Sequence, residues 1–183
     1  MNIRVATPTD AEQISSLIIE LSTPFYTSPT RAGAEPFLAS VNASAQRRNL
    51  SASNFLYYVA ESNGQLAGVV ALRDNAHLFH LFVASSLQRT GLATRLWNIV
   101  KAEALAAGNT GQFTVNSSLN AVPVYERFGF IRAGEVQQMH GISFQPMELH
   151  ANPLGAQPSL RGDGRKAALL GSPSPAAPGR PSN

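Results

Sequence analysis

The sequence predicts an α+β fold with one mixed, mostly antiparallel, twisted sheet of about seven strands and about four flanking helices. Two observations support this prediction. Strand-like apolar segments and amphipathic helical stripes follow one another in the order β-α-α-β-β-β-α-β-α-β-β. Several neighbouring strand segments are joined by short turn signals, which is typical of antiparallel pairs. With 183 residues, 44% of them apolar, the chain supports one substantial core.

The N-terminal part contains one strand and two predicted helices. A short strand over residues 3–6 leads into Thr7-Pro-Thr-Asp10, a capping box with proline at the first helical position. Residues 23–53 are rich in Ser, Thr, Pro and Ala, and a second helix is predicted there from about Ala34 to Arg47. The first helix has one apolar face, formed by Ala11, Ile14, Leu17, Ile18 and Leu21.

Three consecutive strands are predicted next. Residues 55–61 and 65–73 flank Ser62-Asn63-Gly64, a strong hairpin signal, and Asp74-Asn75 turns the chain into a strand over 77–83. Simple alternation along that third strand predicts two faces. It assigns one face to His77, Phe79, Leu81 and Val83, and the other to Leu78, His80 and Phe82.

The C-terminal part begins with an amphipathic helix over residues 92–107, followed by a short strand over 113–115. Pro123 is tolerated only in a first helical turn, so the next helix is predicted to start near Asn120 and to stop at Gly129.

The last predicted elements are two strands, residues 131–140 and 142–149, which turn at His140-Gly141. Pro146 has no N–H to donate, which predicts an edge or a bulge in the second of these strands.

The basic character of the chain lies in its tail. Residues 1–150 carry ten Lys or Arg and ten Asp or Glu, so the net charge of +3 arises from residues 151–183. That tail holds six prolines, five glycines and four serines without periodicity, and we predict it to be disordered. The division is therefore a domain over 1–150 and a tail over 151–183. A neutral domain without basic and aromatic interleaving does not favour nucleic-acid binding, even with a weakly cationic tail.

Composition also limits the chemistry and the compartment. The chain has no cysteine, which removes disulfides, thiolate metal sites and a cysteine nucleophile. Its four histidines show no metal-ligand spacing, so no metal is expected. The N-terminus lacks the layout of a secretory signal, and no apolar stretch is long enough to cross a membrane. We therefore expect a soluble cytoplasmic protein.

Residues 82–97 predict a strand, a small-residue turn and a helix start, an arrangement that binds anions. The first amides of a helix lack acceptors, and its dipole favours negative charge. Gly91 and Ala93 leave room for a phosphate beside the main chain. Neither a P-loop nor a Gly-x-Gly-x-x-Gly pattern is present. A plain strand–turn–helix with a small-residue cap is the alternative interpretation.

Two motifs in this region resemble one enzyme family. Gln88-x-x-Gly91-x-Ala93 matches the pyrophosphate-binding motif Gln/Arg-x-x-Gly-x-Gly/Ala of the GNAT N-acetyltransferase superfamily. Downstream, the family's Ala-x-x-x-Tyr-x-x-x-Gly-Phe block is matched by Ala121, Tyr125, Gly129 and Phe130. Both motifs occur in the family's order, and the resemblance covers roughly residues 2–149.

The resemblance implies acetyl-CoA as co-substrate and a set of residues that bind it. Its pantetheine arm is expected to extend along the strand at Leu81, Phe82 and Val83, like an added strand. Its pyrophosphate is expected on the turn formed by Gln88, Arg89, Thr90, Gly91, Leu92, Ala93 and Thr94. Ser118 stands where the family often has Asn, and its hydroxyl is expected to reach the coenzyme.

The resemblance also suggests catalytic residues. Tyr125 is the candidate general acid for the leaving thiolate, with an ordinary hydrogen-bonded core tyrosine as the alternative. His77 is the candidate base because histidine titrates near neutral pH. His80 and a water chain held by backbone carbonyls remain alternatives. Without cysteine, direct attack of the amine in a ternary complex is the expected route.

The expected activity is N-acetyltransfer to a primary amine, and a non-catalytic acyl-CoA sensor on the same fold is the alternative. The acceptor is left open between a small amine and an amine of a peptide or protein, and a homodimer is left open too. An apolar acceptor slot could be lined by four aromatic residues, with ordinary packing as the favoured alternative for each: Phe25, Tyr26, Phe37 and Tyr58.

Overall fold

One eight-stranded sheet organises the structure, a computed structural model that describes residues 1–151. The strand order is β1-β2-β3-β4-β5-β8-β6, with β7 also paired to β8, and every pairing is antiparallel except β4 with β5. The strands are β1 (Asn2–Val5), β2 (Phe55–Ser62), β3 (Gln65–Arg73), β4 (His77–Val83), β5 (Gln112–Ser118), β6 (Ile131–Arg132), β7 (Gln137–Met139) and β8 (Ile142–His150).

Helices pack on both faces of this sheet. They are α1 (Ala11–Leu21), α2 (Glu35–Val41), α3 (Ala43–Ser51), α4 (Leu92–Ala106) and α5 (Val122–Arg127). Ile14 and Ile18 of α1 belong to one buried cluster, whereas Trp97 of α4 and Tyr125 of α5 belong to the other. The mixed α+β prediction is confirmed. The predicted tail lies outside the described residues apart from Ala151, and no described helix has the length and apolar character to span a bilayer.

The single helix predicted from Ala34 to Arg47 is wrong: the segment forms two helices that meet at Asn42. Asn42 has extended backbone angles, φ −67° and ψ 166°, and its side-chain oxygen accepts from the Ala45 amide at 2.8 Å. Asparagine side chains compete with helical hydrogen bonds and favour the N-cap position, so α2 ends where α3 begins.

The predicted strand over 131–140 is also wrong, because it is interrupted between β6 and β7. In the interruption, the Gly134 carbonyl accepts from the Gln145 side chain at 2.8 Å instead of from a strand backbone. The Pro146 carbonyl accepts from the Ala133 amide at 2.9 Å. Because the N–H and C=O positions of one strand residue point to the same edge, the missing N–H of Pro146 also faces this interruption. β8 is therefore an interior strand whose proline lies at a local gap in the pairing.

The two predicted faces of β4 are corrected by a β-bulge. His80 pairs with Ala71 and Leu78 pairs with Leu72, so Phe79 has no partner on β3. The extra residue reverses the alternation. As a result Leu78 packs in the same cluster as Leu81 and Val83, while Phe79, His80 and Phe82 lie toward the α1 and α3 side.

Candidate functional site

β4 and β5 separate after a short stretch of parallel pairing. Only two pairs hold them together, His77 with Thr114 and Leu78 with Val115. Beyond these pairs, a cavity of about 480 Å³ lies between Leu81–Val83 on one side and residues 116–118 on the other. We call it the central cavity. Because parallel strands normally continue to exchange hydrogen bonds, this gap leaves backbone groups free to bind a ligand.

The free backbone groups belong to Leu81 and Val83, apart from the Val83 carbonyl, which is already bonded to Gln88. The Ala84 amide donates to the Ala67 carbonyl of the β3 side at 2.9 Å. Since backbone groups point to opposite strand edges at successive residues, those of Leu81 and Val83 point away from β3, into the central cavity. The Val83 carbonyl accepts from the Gln88 side chain at 3.1 Å, in agreement with this direction. An extended ligand with amide groups fits such an edge.

The turn before α4 presents a row of unpaired amides. In the described part of the chain, the amides from Arg89 to Thr94 donate to no protein acceptor, and the first helical bond of α4 runs from the Arg95 amide to the Gly91 carbonyl. Gly91 has φ 85° and Arg89 has φ 62°, so the backbone makes a tight turn at the N-terminus of α4. A Cβ at Gly91 would meet nothing within 4 Å, which leaves open space for an anion there.

A second cavity, of about 380 Å³, lies over this turn, and we call it the turn cavity. Arg89 and Arg127 both line it, and their positive charges favour the same anionic ligand as the α4 amides. Arg127 was not identified from the sequence, because nothing in its local pattern places it beside the turn. The turn cavity and the central cavity share Leu81, Val83, Gln88, Asn120, Ala121 and Tyr125, so they form one continuous groove.

The structure brings most of the expected coenzyme residues to this groove. Phe82 and Ser118 line the central cavity, and Arg89 is joined along the turn cavity by Gly91, Ala93 and Thr94. Thr90 and Leu92 do not line either cavity.

Two side chains of the turn have structural roles instead. The Thr90 hydroxyl donates to the Leu87 carbonyl at 2.7 Å, and the Leu92 side chain is buried in the core. These two residues therefore offer only backbone amides. The sequence predicted only a helix start at Asn120. In the structure Asn120 lines both cavities, because residues 119–121 turn toward the groove that these cavities form.

Tyr125 is a core residue whose side chain also reaches the groove. Its ring packs against Phe128 and Phe130 in the core, at centroid distances of 6.1 and 5.7 Å. Its side chain also lines the central cavity and the turn cavity, and its hydroxyl forms no hydrogen bond with a described residue. Burial raises the pKa of Tyr125 above its usual value, so the hydroxyl stays protonated at neutral pH. A protonated hydroxyl at the wall of the groove is suited to donate a proton to a ligand there.

His77 is half-buried, and its Nδ1 lies 2.8 Å from the Thr114 hydroxyl oxygen. Burial, reinforced by the nearby charge of Arg73, lowers the pKa of His77 to about 4. The imidazole is therefore neutral at pH 7. It is also a weaker base than a histidine with the ordinary pKa near 6.5, which the sequence led us to expect.

His80 is fully buried, and burial lowers its pKa to about 3. Its Nε2 lies 3.4 Å from the Gln46 side-chain nitrogen, and the Gln46 oxygen accepts from the Tyr57 hydroxyl at 3.2 Å. A neutral imidazole that accepts from Gln46 satisfies this chain of hydrogen bonds. The network occupies the His80 nitrogen that faces Gln46.

A third cavity, of about 300 Å³, continues from the central cavity toward α2 and the β7–β8 turn. We call it the aromatic cavity. Phe25 and Phe37 line this cavity. Tyr26 does not line it, but its ring contacts that of Phe37 at 6.1 Å between centroids. Tyr58 was wrongly expected here. Its hydroxyl lies 3.5 Å from Glu103 of α4, on the opposite face of the sheet.

Two further polar residues frame the junction of the cavities. Asn116 lines both the central and the aromatic cavity. Glu20, at the end of α1, is the one carboxylate among the described residues that line the three cavities. Sequence inspection could not find Glu20, because it lies on the exposed side of a helix far from both motifs.

The sheet with one splayed parallel pair lies beside a helix N-terminus rich in free amides, an arrangement that can bind an extended ligand with an anionic group. The chain belongs to the GNAT acetyltransferase family, because the model of the acetyltransferase (GNAT) domain matches residues 25–151. No curated protein sequence is significantly similar to the chain.

Solved structures of the same family have the same fold. A GCN5-related N-acetyltransferase from Rhodopseudomonas palustris has a TM-score of 0.66 at 20% identity, covering 82% of this chain and 95% of that one. The PaiA N-acetyltransferase from Thermoplasma acidophilum, solved with coenzyme A, has a TM-score of 0.59 at 16% identity, covering 82% and 100%. The ribosomal-protein-S18-alanine N-acetyltransferase from Escherichia coli has a TM-score of 0.61 at 17% identity, covering 85% and 96%.

Proposed function

We propose that the protein is an N-acetyltransferase that moves an acetyl group from acetyl-CoA to a primary amine in a ternary complex. The observation that supports this proposal is the continuity of the three cavities. The central cavity shares six lining residues with the turn cavity. It also shares six with the aromatic cavity: Phe25, Leu78, Phe79, Phe82, Asn116 and Ser118. A thioester in the central cavity would therefore meet an amine that enters from the aromatic cavity.

Each part of the groove has a defined task in this proposal. The amides from Arg89 to Thr94, with Arg89 and Arg127, would bind the pyrophosphate. The backbone groups of Leu81 and Val83 would pair with the amides of the pantetheine arm. Holding both reactants in place is worth roughly 7–11 kcal/mol of barrier lowering in favourable cases.

The proposed transfer forms one C–N bond and breaks one C–S bond. The free amine attacks the thioester carbonyl, and the carbon–sulfur bond breaks as the carbonyl reforms. The nitrogen loses a proton to solvent, and the departing thiolate takes a proton from the Tyr125 hydroxyl, which regains one from water. The products are an N-acetylated amine and free coenzyme A thiol.

The test separates an enzyme from a sensor. Wild-type protein is incubated with acetyl-CoA and a panel of primary amines, and release of the thiol is followed. We expect release that depends on both the protein and the amine. Tight acetyl-CoA binding by calorimetry without release on any amine would refute the enzyme proposal and support the sensor.

His77→Gln is expected to reduce the acid sensitivity of the fold. A histidine with a pKa near 6.5 when unfolded and about 4 when folded binds more protons in the unfolded state between these values. Stability is therefore lost as pH falls from about 6.5 to 4, and the glutamine variant should lose less. Urea midpoints measured across this range test the expectation.

His140→Gln is the matched control, because that side chain is exposed at the β7–β8 turn and forms no ion pair with a described residue. The control should keep the wild-type slope of stability against pH. Equal slopes for His77→Gln and wild type would contradict the lowered pKa of His77. If His77 is also the catalytic base, the His77→Gln variant should have a lower turnover than wild type at every pH above about 5. Its pH–rate profile should show no shift of an acidic limb near pH 6.5.

A further inference from the structure

The aromatic cavity has an uncharged wall. Among the described residues, no Asp, Glu, Lys or Arg side chain lines it, and its polar members are serines, histidines and Asn116. The two histidines contributed by β4 are held neutral at pH 7 by burial. A charged group placed deep in this cavity would lose its hydration without gaining a partner, which is costly.

The wall is a connected series of aromatic rings. Phe37 lies 6.4 Å from Phe25, and Phe25 lies 5.9 Å from Phe82. Phe82 lies 5.9 Å from His80, which lies 4.3 Å from Phe79. These centroid distances are within or close to the range in which aromatic rings attract one another. A planar apolar group on the ligand could extend the series.

Backbone contacts join two segments beside one edge of the cavity. Tyr26 forms an isolated antiparallel bridge with Ile142, and the Thr27 amide donates to the Gly141 carbonyl at 2.9 Å. A Cβ on Gly141 would lie 2.6 Å from the Gly33 carbonyl carbon, so the β7–β8 turn touches the segment before α2. An extended peptide has no open groove between these two segments.

On the basis of the proposed function, we propose that the acceptor is a small primary monoamine whose body is a single aromatic or compact apolar group. The apolar body would occupy the aromatic cavity, and the amine would point to the junction at Asn116. Glu20 lines the central cavity and not the aromatic cavity, so it can attract an ammonium head but not a second charge at the far end. Desolvation of the ammonium in this setting favours the free amine that attacks.

The test uses three probes: phenethylamine, 1,4-diaminobutane and a tri-alanine peptide. Calorimetry on protein saturated with coenzyme A measures binding of each probe, and thiol release from acetyl-CoA measures turnover. We expect phenethylamine to bind at least about 100-fold more tightly than the diamine, because the second ammonium would be desolvated without a partner. Equal or tighter binding of the diamine or the peptide would overturn the proposal.

The two readouts separate this inference from the proposed function. Selective phenethylamine binding without thiol release would refute acetyl transfer while supporting the cavity assignment. Thiol release that is fastest with the diamine or the peptide would support acetyl transfer while refuting the cavity assignment.

A variant pair tests the wall directly. Phe37→Asp places a carboxylate on a half-buried wall position and should reduce the preference for phenethylamine at least about tenfold, through attraction of the second ammonium. Phe37→Leu keeps the wall apolar and should keep the preference. Phe37 lines neither the central nor the turn cavity, so unchanged coenzyme A affinity confirms that both variants are folded. An unchanged preference in Phe37→Asp would overturn the proposal.

Discussion

Gly91→Glu is expected to reduce the affinity for acetyl-CoA at least about 100-fold, which corresponds to about 2.7 kcal/mol. The new carboxylate would lie at the N-cap of α4, where the free amides and the helix dipole attract it. It would occupy the anion site itself and repel the pyrophosphate. Calorimetry with acetyl-CoA on the folded variant measures the loss.

Gly91→Ala is the matched control for the backbone. Gly91 has φ 85°, so any other residue there costs roughly 1–2 kcal/mol, and both variants share this cost. The alanine Cβ would enter open space and carry no charge, so the affinity should stay within about tenfold of wild type. A folded Gly91→Glu protein with wild-type affinity would refute the assignment of the turn as the pyrophosphate site.

Tyr125→Phe is expected to lower kcat by about 10²–10⁴ while acetyl-CoA affinity stays the same, since a positioned proton donor contributes about that much. The ring keeps its packing against Phe128 and Phe130. The Tyr125 side chain lines the groove and its hydroxyl bonds to no described residue, so removal of the hydroxyl leaves no protein group unsatisfied. Steady-state thiol release and thermal unfolding together measure the effect.

Tyr57→Phe provides the matched control, because Tyr57 is equally buried but lies in the network with Gln46. Its loss leaves the Gln46 oxygen without its donor and should cost about 1–3 kcal/mol of stability without a comparable loss of kcat. Near-normal turnover in Tyr125→Phe would show that Tyr125 is only a core residue and that water protonates the thiolate.

Local chemistry made several features of the site predictable. The turn at residues 88–94 could be inferred because a small-residue turn that opens a helix exposes amides whatever the rest of the fold does. The hairpin at Ser62-Asn63-Gly64 and the capping box at Thr7 and Asp10 are also present in the structure. Each of these features depends on residues within a few positions of one another.

Features that depend on partners far along the chain could not be predicted. The bulge at Phe79 exists because β3 and β4 differ in register, and it moves Leu78 to the other face of the sheet. Tyr58 and Phe37 are both aromatic, and the sequence offered both for the acceptor slot. Strand pairing places Tyr58 beside α4, whereas α2 places Phe37 at the aromatic cavity. The weak basicity of His77 follows from burial and from Arg73, neither of which its own strand pattern reveals.

The sequence by itself therefore determined the α+β class, the turn of free amides before α4 and the position of the tyrosine in α5. Those depend on hydrogen-bonding groups and periodicities that neighbouring residues set. Only the tertiary structure decided how β4 and β5 separate, which side chains meet in the aromatic cavity, and how the Gly141 turn contacts the segment before α2. These depend on strand register and on contacts between segments more than a hundred residues apart, such as Thr27 and Gly141, which pack together only once the sheet has formed.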